Sequence, residues 1–205
     1  MISLPSHAQS FEPYQQLGVQ LGGNQNTFFP GQVGDEYPLT QPQEEYSPGN
    51  SFEAGLFYGY YFHSKMGVET GVNFTGRSST VNGNIERNVY ALQLPLVFNL
   101  QPTSWFRVGT GFNFNFHLGE PEGVTVAELA TPNALFVEWS SQVRFNLDKG
   151  FGIGVNFGVG LTPIYQERFA YLNPDNSTSF SIAETTNRYI GVCLYYEILG
   201  SPSRR

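Results

Sequence analysis

The chain has 205 residues, a length that fits one domain, and a formal net charge of −7, which argues against nucleic acid as a partner. Only 13% of the residues are charged, against roughly 25% in ordinary soluble domains, while 16% are aromatic and 23 are glycine. A mean hydropathy of −0.24 and the lack of any run of about 20 apolar residues exclude a helical membrane protein. The single cysteine, Cys193, excludes an intrachain disulfide and a cysteine-built zinc site.

The opening "MISLPSHAQS" resembles the end of a secretory signal, with Ser6 and Ala8 as the small residues of a cleavage site before Gln9. The expected organisation is therefore a residual signal peptide or disordered N-terminus over residues 1–13, a folded domain over 14–199 and a disordered tail over 200–205.

From residue 14 onward one pattern recurs: large apolar residues at every second position, with small or polar residues between them. That is the signature of a β-strand with two unlike faces. "YQQLGVQLGGN" puts Leu17, Val19 and Leu21 on one face. "SFEAGLFYGYYF" sets Phe52, Leu56, Tyr58, Tyr60 and Phe62 against Glu53, Gly55 and Gly59. "MGVETGVNFT" sets Val68, Val72 and Phe74 against Glu69, Gly71 and Asn73, and "VYALQLPLVFNL" sets Leu92, Leu94, Leu96 and Phe98 against Ala91, Gln93, Pro95 and Asn99. "WFRVGTGFNFNFHLG" is the clearest copy, with Phe106, Val108, Phe112, Phe114 and Phe116 opposed to Arg107, Gly109, Gly111, Asn113, Asn115 and His117. "ALFVEWSSQVRFNL", "FGIGVNFGVGL" and "YIGVCLYYEIL" complete the set, with Glu138, Arg144, Cys193, Tyr195 and Glu197 on the small or polar face. Most copies run about 9 to 12 residues, the length of a tilted strand that crosses a bilayer.

The connections sort by length. "HSK", "QPTS" and "DKG" join strands two to three, four to five and six to seven, whereas residues 25–50, 76–88, 119–133 and 163–187 read as long loops. Short turns at one end and long loops at the other describe an up-and-down transmembrane barrel, with short periplasmic turns and long extracellular loops. Six charges fall within the strands: Glu53, Glu69, Arg107, Glu138, Arg144 and Glu197. All lie opposite the large apolar residues. An arginine or lysine facing lipid at the midplane costs about 2–4 kcal/mol, so the charged face belongs to the interior and the phenylalanines face lipid. The fold class is thus an all-β, eight-stranded antiparallel barrel, closed because the bilayer offers no water to an open sheet edge. Tyr60, Phe62, Trp105, Phe106, Phe145 and Phe151 lie beside the short turns, as an interfacial aromatic girdle does.

The glycine-led "LGVQLGGNQN", the central "YALQLPLVFNL" and the following "FRVGTGFNFNF" resemble the PorT-like outer-membrane β-barrel family of Bacteroidota, over about residues 14–199. The resemblance implies an eight-stranded, signal-peptide-bearing barrel of the bacterial outer membrane, often described as of porin family type, with some members serving protein secretion. The chain departs from the family in running past its last aromatic strand into "GSPSRR".

Several readings of function stay open. An anchored scaffold or accessory protein would recognise a partner through its acidic loops, in contact with outer-membrane lipid or lipopolysaccharide. A narrow channel needs an open lumen, yet eight strands enclose an interior just wide enough for side chains, and Phe57, Tyr61, Phe136, Tyr189 and Tyr195 would fill it. A lipid-modifying enzyme needs a base, nucleophile and orienting acid together, but His117, near Glu120, has no serine beside it in sequence. Glycine-rich "GFGIGVNFGVG" reads as a strand rather than a nucleotide loop, because no helical pattern follows it. A soluble lipocalin-type barrel would reverse the faces. No catalytic residue, cofactor or metal is expected, and the oligomeric state is left open. Cys193 is expected to pack inward without a partner. One site is predicted: a lumen ionic cluster of Glu69, Arg107, Arg144 and Glu197, with Glu69 facing Arg107 and Glu197 facing Arg144.

Overall fold

A computed structural model describes residues 12–30, 46–81, 83, 85–122, 130–172 and 178–199. The strands are β1 (Tyr14–Pro30), β2 (Tyr46–His63), β3 (Met66–Val81), β4 (Ile85–Thr103), β5 (Phe106–Glu122), β6 (Ala130–Pro132), β7 (Leu135–Asn146), β8 (Phe151–Gly160), β9 (Tyr165–Leu172) and β10 (Thr178–Leu199). Eight of them form the barrel in the order β1-β2-β3-β4-β5-β7-β8-β10, and β1 pairs antiparallel with β10 from Leu17↔Leu199 to Pro30↔Thr185. Closure leaves the barrel wall without an edge, which a strand-built membrane protein requires. No helix among the described residues is long and apolar enough to cross a membrane; the crossing is made by strands.

The faces fall as the alternation dictates. Leu56, Phe74, Phe112, Phe116, Val155 and Ile190 are exposed on the outside, while Glu53, Glu69, Asn73, Arg107, Asn115, Glu138 and Arg144 are buried within. Beside the short turns, Trp105 stacks on Phe145 at 6.2 Å between ring centroids, and Phe106 lies 5.5 Å from Phe145. One short turn is a single 3-10 turn, Asp148–Gly150, in which Gly150 takes φ +86, a conformation that glycine adopts without cost.

Two expectations about the connections need correction. Residues 76–88 do not form a long loop: β3 runs to Val81 and β4 starts at Ile85, so the two make a tight hairpin around Gly83. Residues 163–187 contain β9 and the outer half of β10, which pair from Thr178↔Leu172 to Thr185↔Tyr165, and β6 adds to β9. The strands continue past the bilayer, where neither face has to be apolar. Pairing persists there while the hydrophobic alternation that reveals a strand does not. The expected terminal segments, residues 1–11 and 200–205, and the loop residues Asp35, Glu36, Glu44, Glu45, Glu128 and Asp175 lie outside the described residues.

Within the wall, the β3–β4 ladder passes from Thr70↔Leu96 to Asn73↔Gln93 and skips Leu94 and Pro95. A proline has no N–H to give to a ladder, so its presence weakens pairing at that point.

Candidate functional site in the barrel lumen

The interior is built in layers from the short-turn end. Tyr14 and Tyr61 stack with centroids 4.7 Å apart. Next come the four residues of the predicted cluster, contributed by β3, β5, β7 and β10. Arg144 Nη2 donates to Glu69 Oε1 at 2.8 Å and its Nη1 to Glu69 Oε2 at 3.2 Å. Arg107 Nη1 reaches Glu69 Oε2 at 3.4 Å, and its Nη2 lies 3.6 Å from Glu197 Oε1. All four side chains are buried. The two arginines are direct cross-strand neighbours, Arg107↔Arg144, so like charges stand side by side and Glu69 is placed between them. The pairing differs from expectation: Glu69 binds Arg144 more closely than Arg107, and Glu197 engages Arg107, not Arg144. Arg144 is instead enclosed by rings, 3.6 Å from the Tyr195 centroid and 4.8 Å from that of Phe57. Gln16 accepts a further bond from Arg107 Nη2 at 2.8 Å.

The middle layer is an amide network. Asn73 donates to Gln93 at 3.1 Å, Gln93 to Asn115 at 3.1 Å, and Asn115 to the carbonyl oxygens of Asn113 and Phe136. Gln142 donates to Glu69 and Asn99. Glu53 accepts from Asn156 Nδ2 at 2.8 Å and from Cys193 Sγ at 2.7 Å. Cys193 therefore has a partner, contrary to expectation. The carboxylate that binds it is 140 positions away in sequence, and only barrel closure brings the two together.

A second ion pair, not foreseen from the sequence, lies nearer the long loops. Arg77 Nη2 donates to Glu138 Oε2 at 2.7 Å, Asn187 Nδ2 donates to Glu138 Oε1 at 2.7 Å, and the Arg77 guanidinium sits 4.3 Å from the Tyr189 ring centroid. Arg77 and Arg87 were assigned to loops, yet both are buried strand residues. A signal existed: Arg77 continues the inward parity of Glu69, Asn73 and Thr75, and Arg87 that of Ala91 and Gln93.

Above this pair the mouth is covered by an apolar cluster of Phe28, Val89, Ala91, Phe136, Ile164 and Tyr165. Arg87 Nη1 caps it, donating to Tyr46 Oη at 2.7 Å and Tyr165 Oη at 3.2 Å. His117 is half-buried on β5, and neither ring nitrogen has a hydrogen-bond partner among the described residues. Its cross-strand neighbours Ala91 and Ala134 offer it no acceptor side chain.

The outer membrane protein beta-barrel domain family matches residues 1–182. The chain belongs to that family. As an outer membrane protein beta-barrel domain it resides in the bacterial outer membrane, and the lipid-facing phenylalanines and charge-filled lumen follow from that location. Two solved structures share its fold. The crystal structure of the outer membrane protein OprG from Pseudomonas aeruginosa is 12% identical, with a TM-score of 0.51, over 90% of this chain and 97% of that one. The solid-state NMR structure of the outer membrane protein AlkL in DMPC lipid bilayers is 13% identical, with a TM-score of 0.52, over 98% of both chains. At such identities the likeness establishes the fold alone. No curated protein matches the sequence.

Proposed function

We propose that this barrel is an anchored scaffold or accessory protein, of PorT-like type, which recognises a protein partner through its cell-surface loops and neither conducts freely nor catalyses. The observation that carries the reading is the filled lumen: two buried ion-pair layers, an amide layer between them, and an apolar cover over the mouth. The strand residues that the PorT-like resemblance rests on, from Leu17 to Asn26 in β1, Tyr90 to Leu100 in β4 and Phe106 to Phe116 in β5, all belong to this wall. Contact with lipopolysaccharide around the barrel belongs to the same proposal, as does the secretory signal at the N-terminus. Rigid barrels commonly carry recognition on their loops.

The decisive experiment is reconstitution of the pure protein in planar bilayers. No stable porin-like conductance is expected, and reproducible nanosiemens steps would overturn the scaffold reading. A narrow channel is the second reading, favoured by the polar middle layer and the cavity within it. Partners captured by crosslinking from native outer membranes should be lost when the β1–β2 connection is replaced by a short Gly-Ser linker. Retention of the same partners would place recognition elsewhere.

A further inference from the structure

The middle of the lumen holds a cavity of about 30 Å³, room for a small ion with a water or two. Glu53 and Glu69 both line it, together with amides that include Gln20, Asn73 and Asn156, and no basic side chain is among the lining residues. Glu69 is already saturated by Arg107, Arg144 and Gln142. Glu53 is different. It is 2% exposed, and its hydrogen bonds come from two neutral donors, Asn156 and Cys193, both on Oε1. None of the described arginines pairs with it. The Arg77 guanidinium acts on it only through space, being bonded to Glu138, so this carboxylate, touched by neutral donors alone, is left short of counter-charge.

A second acceptor on the same wall lacks a donor, and the hydrogen-bond chain fixes which atom it is. Asn115 faces the carbonyl oxygens of Asn113 and Phe136, which can only accept, so its Nδ2 must point there. Its Oδ1 then accepts from Gln93 Nε2, and Gln93 Oε1 accepts from Asn73 Nδ2. The chain runs one way, and it leaves Asn73 Oδ1 as a buried oxygen without a partner among the described residues. Gly55, two residues along the inward face from Glu53, stands beside that oxygen: a Cβ there would come within 2.3 Å of it.

We propose that this cavity binds one monovalent alkali-metal cation, with the Glu53 carboxylate supplying the charge and Asn73 Oδ1 a neutral ligand. Hard cations take oxygen ligands of this kind. Among the described residues no three His, Cys, Asp or Glu side chains converge, so the donor set suits a single charge, not a zinc or calcium ion. The inference goes beyond the scaffold reading, since a cation held in a filled lumen is compatible with either a closed or a narrowly conducting barrel.

The experiment uses the refolded full chain in detergent, with urea midpoints measured in NaCl, KCl and choline chloride at equal ionic strength. The wild-type midpoint should rise with sodium or potassium over choline, growing with the logarithm of concentration as linkage requires. Glu53→Gln should give the same midpoint in all three salts. Asn73→Asp, which adds a second carboxylate, should enlarge the alkali-metal response and carries the measurement if Glu53→Gln fails to fold. Identical wild-type midpoints in the three salts overturn the proposal, and so does a full response in Glu53→Gln or an unenlarged one in Asn73→Asp.

Discussion

Arg144 and Glu69 meet across the lumen in a two-point ion pair, 2.8 and 3.2 Å, although their strands are separated by β4 and β5 on one side and by four strands on the other. The bond is a strut between walls, and it is fully removed from water. Two charges in such a place gain from pairing about as much as they lose in hydration, but removal of one partner strands the other.

Glu69→Gln should therefore lower stability by about 3–5 kcal/mol, read as a fall in urea midpoint. Double-mutant cycles should rank the couplings by distance, with Glu69–Arg144 largest, Glu69–Arg107 and Glu197–Arg107 smaller, and Glu197–Arg144 near zero. A larger coupling for Glu197 with Arg144 than for Glu69 with Arg144 would contradict this arrangement. Whether the cluster acts as a structural plug is the proposal that these cycles examine.

The upper pair should behave in the same way but be replaceable. Arg77→Met leaves Glu138 with Asn187 as its remaining donor, and a clear loss of heat-modifiable gel mobility at lower temperature is expected. Arg77→Met with Glu138→Met should recover most of that loss, because well-packed apolar side chains substitute for a buried pair. A double variant as weak as the single one would show that the charges themselves are needed.

Glycines in the wall differ in what they can tolerate. A Cβ on Gly111 would meet the Leu96 carbonyl oxygen at 2.0 Å, a backbone atom that cannot swing aside, whereas a Cβ on Gly23 meets nothing within 4 Å. Gly111→Ala should cost about 1–3 kcal/mol as overpacking, and Gly23→Ala should stay within about 0.5 kcal/mol of the parent protein. Comparable urea midpoints for the two variants would contradict the close strand approach at Gly111.

Topology is open to chemical labelling. Cys193 is buried, so a Cys193→Ser background gives a silent reference. A cysteine at Asp35, in the β1–β2 connection, should react with an impermeant maleimide on whole cells, while cysteines at Ser64 or Lys149 in the short turns should not. The reverse pattern would invert the barrel.

Much of this molecule was legible in its sequence because a bilayer imposes a strict rule. Each strand residue faces either hydrocarbon or a confined wet interior, so Phe112 and Asn113 could be assigned to opposite sides from parity alone. The same rule located Glu69, Arg107, Arg144 and Glu197 inside, and closeness to the short turns set them at one level. It failed for Arg77 and Arg87, since their strands emerge from the hydrocarbon there and outward residues such as the exposed Glu86 no longer need to be apolar. The hairpin at Gly83 and the β9–β10 extension were hidden for the same reason.

The sequence by itself determined the architecture, the sidedness of every membrane-crossing strand and six of the charges that the lumen holds, because hydrophobic transfer acts residue by residue. Only the tertiary structure decided who pairs with whom. Glu197 turns to Arg107, Cys193 meets Glu53, and Arg77 finds Glu138. Those contacts depend on the register between strands and on where the closed wall brings distant residues face to face. Neither is written in the alternation of any one strand, since a register shift by two residues keeps every side chain on its own face while changing its partner.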